Sequence, residues 1–206
     1  MGQREKQKAA TKLHILHSAA RHLKTVGLTG ASVSDVMSTA GLTVGGFYAH
    51  FGSKEDLADA VVRHTMTERR LMFLERFKGL EWKTRLRSAL REYLTPAHRD
   101  DPANGCPLSM AAIEALHTPA TASAFKEEFE RFSQAFEAGQ GVTGASAPRE
   151  AAIGTLALMI GSMILARAAG QSAASDEILE ATDAYGQTAL EGFARAQRPP
   201  QAKAKR

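Results

Sequence analysis

Apolar positions recur at helical spacing along most of this chain, and no stretch shows the period-two alternation of a half-buried strand. Residues 7–25 place Leu13, Leu16, Ala20 and Leu23 on one face and run out at Gly27. The segment ASVSDVMSTAGLTVGGFYAHFGSKEDL, residues 31–57, divides into two short helices and opens a third at Ser53. Ser32 or Ser34 caps the first, whose Val33, Val36, Met37 and Ala40 share a face. Gly41 ends it, since a sharp exit needs the left-handed backbone that glycine tolerates. Thr43 caps the second, where Phe47 and Phe51 lie four apart and point inward, leaving Tyr48 and His50 outside. Two short helices joined by a tight turn form a helix-turn-helix, whose second helix enters the major groove of DNA. Further helices are expected over 53–77, 82–94, 107–117, 120–138, 148–169 and 175–196, about nine in all. Pro107 takes a first helical position, TPAHRDDPANG is a polar loop and GQGVTGASA a flexible break.

The run LTVGGFYAHFGSKEDL adds a specific signal. Gly41, Leu42, Thr43, Gly45, Phe47, Tyr48, His50, Phe51 and Lys54 fall on the pattern Gly-hydrophobic-Ser/Thr-x-Gly-x-hydrophobic-Tyr-x-His-Phe-x-x-Lys. The segment thereby resembles the N-terminal signature of the TetR family of one-component transcriptional regulators. The likeness covers residues 8–62, about a quarter of the chain, and beyond it only length and helix count correspond. It implies an all-α protein with a three-helix DNA-binding head and a helical body that binds effector and dimerises. The expected division is 1–53 for the head with its basic N-terminal tail and 54–197 for the body. A disordered basic tail follows at 198–206, and residues up to Lys6 are expected to be disordered as well.

Charge sharpens this picture. Through Lys54 there are seven basic residues against two acidic, a net of +5, whereas residues 55–198 carry a net of −4. A basic head on a mildly acidic body suits a protein that meets phosphate at one end. The single cysteine excludes an internal disulfide or a cysteine-based zinc site and fits a reducing cytoplasm. The polar N-terminus is unlike a signal peptide. Residues 151–166, AAIGTLALMIGSMILA, fall just short of a membrane span and read as a helix covered by the core on one side and a second subunit on the other. Gly154, Ala157 and Gly161 permit close helix approach there. The homodimer is expected through the last two helices, about 148–169 and 175–196, with no membrane contact.

The DNA-binding set is Ser32, Ser34, Thr43, Val44, Gly45, Gly46, Tyr48, His50 and Lys54. Thr43 and Val44 stand at the recognition-helix N-terminus, where a methyl group meets thymine and backbone N–H groups face phosphate. Gly45 and Gly46 each cost about 1 kcal/mol of helix propensity. Either the missing side chains let the backbone close on the groove, or the first turn is simply loose. Tyr48 and His50 hold phosphate or read bases, and Lys54 grips phosphate. So few polar side chains read only a few base pairs, which calls for a dimer on a palindromic double-stranded operator.

An effector pocket draws its candidates from Trp82, Leu86, Tyr93, Met110, Ile113, His117, Phe125, Phe129, Met159 and Met163, against the alternative that such stripes are ordinary core. Glu114 and His117, three residues apart, either polarise a ligand or form a solvated pair. Cys106, in NGCPL at a helix start, is the redox candidate, since the helix dipole favours a thiolate; a half-buried capping role is the alternative. His14 and His17 have metal-compatible helical spacing but no carboxylate nearby in sequence, so no metal site is expected. No cofactor motif and no nucleophile–base pairing is present, which leaves no catalytic residues. The function expected is a repressor released by a small apolar molecule or a thiol-reactive species. The alternatives are a constitutive DNA-binding protein, and an enzyme or carrier with a basic head.

Overall fold

The computed structural model describes residues 2–103, 105–138 and 146–197. Among them stand ten helices and no strand: α1 (Gln3–Thr25), α2 (Val33–Thr39), α3 (Val44–Phe47), α4 (Lys54–Arg76), α5 (Trp82–Tyr93), α6 (Pro96–Asp100), α7 (Leu108–Ala115), α8 (Pro119–Glu137), α9 (Arg149–Ala168) and α10 (Ala173–Ala196). The chain divides into two compact units, Met1–Arg76 with Ala97–Phe132 and Phe77–Pro96 with Ser133–Arg206. The first gathers α4, α6, α7 and most of α8 around the head helices, so it reaches well past the boundary expected at residue 53.

In the first unit α1 begins four residues earlier than its apolar pattern suggested, and the tail before Lys6 is helical from Gln3. A local bond accounts for the extension: the Gly2 N–H donates to Glu5 Oε2 at 2.8 Å, and Glu5 in the first turn complements the helix dipole. The inward face of α1 is also rotated from the expected one. Ile15, Ser18 and Ala19 are buried together with the expected Ala20 and Leu23, whereas Leu13 is exposed and Leu16 half-buried. Small residues at 18 and 19 let α2 lie close, and Ser18 Oγ donates to the Val36 carbonyl at 2.8 Å across that contact. α4 starts where expected, with the Asp56 N–H donating to Ser53 Oγ at 3.0 Å.

Two elements differ from the sequence reading. The loop expected over 95–105 contains the short helix α6, opened by Pro96, whose fixed φ suits a first helical position. Pro107 sits at the N-cap of α7 rather than inside the helix. The break GQGVTGASA falls largely, and the tail 198–206 wholly, outside the described residues.

The second unit is built on α9, α10 and α5. α9 is the one described helix long and apolar enough to cross a membrane, with a mean hydropathy of 1.7, yet Ala152, Leu156, Met163 and Ala166 on it are buried within this unit. Ser172 caps α10 by accepting from the Ser175 N–H at 3.2 Å. A groove of about 620 Å³ runs along α9 and α10, lined by Gly154, Ala157, Leu158, Gly161, Leu165 and Tyr185 among others. Leu165 and Tyr185 are largely exposed there, the latter at 68%. In α5 the guanidinium of Arg85 is buried and donates from Nη2 to the Phe136 carbonyl at 2.8 Å, a polar core contact that composition gave no sign of.

Candidate nucleic-acid interface

The helix-turn-helix is assembled by short-range chemistry. Ser32 caps α2: its hydroxyl accepts from the Asp35 N–H at 3.1 Å, while Asp35 Oδ2 accepts from the Ser32 N–H at 2.8 Å. The Ser32 hydroxyl, donating to Asp35 Oδ2 at 2.6 Å, and then the Ser32 N–H hold the Asp35 carboxyl below its usual range. Of the two serines offered by the sequence, Ser32 is therefore the cap, and Ser34 lies exposed within the helix. Gly41 makes the turn at φ +65°, and the Leu42 N–H donates back to the Met37 carbonyl at 2.9 Å. Thr43 holds the N-cap position of α3, but its side chain makes no capping bond. The helical turn continues past α3 through the Phe51 N–H, which donates to the Phe47 carbonyl at 3.0 Å.

Phe47 and Phe51 stack with ring centroids 5.6 Å apart and are both buried. Each contributes roughly 1.5–3 kcal/mol of apolar burial, enough to hold a helix too short to persist alone. Lys12 of α1 lies over the Phe51 ring at 5.2 Å, and His14 Nε2 donates to the Ala40 carbonyl at 2.9 Å, so α1 fastens both ends of the turn. The opposite face is open: Val44 is 44% and Tyr48 68% exposed, and Thr43 and Gly45 are exposed beside them. A Cβ added to Gly45 would meet no atom within 4 Å, and one on Gly46 would make only ordinary contacts with Met37 and Thr43. Neither glycine is demanded by packing among the described residues. His50 is half-buried, with Nδ1 enclosed and without a hydrogen-bond partner, and it lines a cleft with Lys12, Phe51 and Gly52. Lys54 Nζ donates to the Thr29 carbonyl at 3.1 Å, so this cation is engaged within the free head.

The remaining candidates separate. Glu114 and His117 do not form a pair: His117 is exposed, whereas Glu114 is buried and accepts from the Thr29 hydroxyl at 2.8 Å and the Thr29 N–H at 3.2 Å. The reason is tertiary, since Glu114 faces the loop after α1 rather than its neighbour one turn on. Glu114 thus fixes that loop, a role that spacing alone did not suggest. Cys106 is 3% exposed, and its N–H donates to His98 Nε2 at 3.0 Å. Trp82, Leu86, Tyr93, Met159 and Met163 are buried in the second unit. Met110, Ile113, Phe125 and Phe129 are half-buried in the first, where Phe125 and Phe129 stack at 5.7 Å. Burial also pushes the His64 imidazole of α4 below its ordinary value.

An exposed recognition surface on a basic three-helix head defines a helix-turn-helix DNA-binding protein. Residues 15–61 match the family model for bacterial regulatory proteins of the tetR family. Solved structures agree over nearly the whole chain. A TetR-family regulator from Agrobacterium tumefaciens is 22% identical, with a TM-score of 0.68 over 90% of this chain and 98% of that one. The reduced form of Escherichia coli NemR is 22% identical at a TM-score of 0.66, covering 86% and 96%. A transcriptional regulator from Saccharomonospora viridis, solved in complex with choline, is 18% identical at 0.65, covering 86% and 95%. No curated protein matches the chain. The head thus matches the tetR family model, and the whole chain shares the fold of solved TetR-family regulators.

Proposed function

We propose that the protein is a cytoplasmic, homodimeric repressor that binds a palindromic operator and leaves it when an effector occupies its helical body. The observation that carries the DNA reading is the open face of α3, where Gly45 is unconstrained by the fold and Thr43, Val44 and Tyr48 stand clear of it. Gly45 and Gly46 let the backbone approach the groove, Thr43 and Val44 meet base edges, and Tyr48 and His50 meet phosphate. The capping bonds of Ser32 set the start of α2, and Ser32 and Ser34 there are read as meeting the backbone of the duplex. Lys54 exchanges the Thr29 carbonyl for a phosphate oxygen on binding.

The dimer reading rests on the α9–α10 groove, where Leu165 and Tyr185 expose apolar surface of the kind that a second copy covers. The choline complex of the Saccharomonospora relative supports an effector of small organic character. The burial of Cys106 favours such a molecule over a thiol-reactive species, because a thiolate reacts only where reagents reach it. Release follows if the effector binds better to the conformation whose heads no longer match the operator.

The test is binding to DNA flanking the coding region, at two salt concentrations with nonspecific competitor, before and after thiol oxidation. Specific, salt-sensitive binding that oxidation leaves intact supports the reading. Loss on oxidation that a Cys106→Ser variant resists would instead make the protein a redox-responsive repressor. If selection from random sequence also returns no palindrome, the operator reading fails.

A further inference from the structure

His17 of α1 faces a surface that the sequence around it does not reveal. Across from it on α4 stand His64 and Glu68, four residues apart and so on one helix face. His17 Nε2 lies 3.6 Å from Glu68 Oε1, and His64 Nε2 lies 3.4 Å from Glu68 Oε2. Each carboxylate oxygen thus addresses a different imidazole. The two rings are tilted 40° with centroids 5.2 Å apart, and one donor atom from each of the three residues falls within 4.8 Å of the others. His64 Nε2 is enclosed and makes no hydrogen bond. His14, the other histidine at helical spacing from His17, is committed to the Ala40 carbonyl and does not join the cluster.

We propose that His17, His64 and Glu68 form a binding site for a divalent transition-metal ion, which clamps α1 of the head to α4. Two imidazole nitrogens and one carboxylate are a recognised three-ligand set for a tetrahedral ion, with the fourth position left to water. Metal–ligand bonds of about 2.1 Å require donor atoms about 3.3–3.4 Å apart in a tetrahedron. The separation of 3.4 Å between His64 Nε2 and Glu68 Oε2 is already at that value, and rotations of the exposed His17 and Glu68 side chains bring His17 Nε2, 3.6 Å from the other oxygen, to the same ion. The donor set also selects the ion. Imidazole nitrogen suits zinc, copper, nickel and cobalt, whereas calcium and magnesium require a shell of oxygens. The site stands on geometry alone. Only its regulatory meaning, a head stiffened or re-aimed by metal, rests on the repressor reading.

The experiment is a titration of the full chain with Co²⁺, read by the visible d–d absorption of a tetrahedral complex in the absence of DNA. One equivalent per chain should bind. His17→Ala and Glu68→Gln, both at exposed positions, should weaken binding more than about 100-fold, beyond the loss typical of an outer-shell substitution. Their circular dichroism and urea midpoints without metal should match those of the unmodified chain. His117→Ala, outside the cluster, should bind as the unmodified chain does. Zn²⁺ should raise the urea midpoint of the unmodified chain and leave both cluster variants unchanged. Absence of saturable tetrahedral absorption in the unmodified chain, or unaltered binding in His17→Ala and Glu68→Gln, would overturn the site. Neither result bears on operator binding, which is measured separately.

Discussion

Two glycines of the head, Gly27 and Gly45, obey opposite constraints. Gly27, after α1, has φ +79°, and a Cβ there would overlap the buried Glu114 carboxylate that holds Thr29. Gly45, in α3, has ordinary helical backbone and nothing within 4 Å of the position a Cβ would take. The fold itself requires the first. The second costs helix propensity and has no packing reason among the described residues, which the proposed contact with DNA would explain. Paired in this way, the two positions test separately what folding requires and what the proposed recognition requires.

The comparison breaks first at Gly27. Gly27→Ala should destabilise the chain by about 3 kcal/mol, combining left-handed strain with displacement of a hydrogen-bonded carboxylate, read as a lowered urea midpoint. A chain of unaltered stability would show that the loop has slack. Next in size, Glu114→Ala should cost about 1.5–2 kcal/mol, because it removes the charge-assisted bonds from the exposed Thr29 N–H and hydroxyl, which water only partly replaces. A cycle with Thr29→Val should then show strong non-additivity. Gly45→Ala should carry the opposite sign, a gain of up to about 1 kcal/mol in stability. The same substitution should weaken operator binding at least tenfold, and improvement in both measurements would make Gly45 merely a loose turn.

Smaller effects belong to the cap of α2. Ser32→Ala should cost about 1 kcal/mol. Asp35 is held below the usual carboxylate range by Ser32, so its contribution is present above the unfolded value and is lost as pH falls through the folded one. Acid titration of helicity should therefore show a step that Ser32→Ala lacks.

How much of this was legible depends on the reach of the interactions. The turn at Gly41, the inward pair Phe47–Phe51 and the caps at Ser32 and Ser53 all follow from partners within a few residues, and the sequence displays them in order. The buried face of α1 is only half legible, in Ala20 and Leu23, because Ser18 and Ala19 carry little hydrophobic signal, although their small size is what admits α2. α6 was hidden because its polar composition reads as loop. Glu114 was weighed against His117, its neighbour along the helix, when its partner Thr29 lies 85 residues away. The same limit applied to His17, which has no carboxylate close by in sequence and two prospective co-ligands on α4.

Helical periodicity, the helix-turn-helix over residues 31–57 and the concentration of positive charge toward the N-terminus are all readable along the chain, since periodicity, caps and turns are local and charge is a sum. Which face of each helix is buried, how Glu114 secures the head and that His17 meets His64 and Glu68 come from packing. Those outcomes depend on how helices distant in sequence pack against one another, and no local pattern encodes that distance.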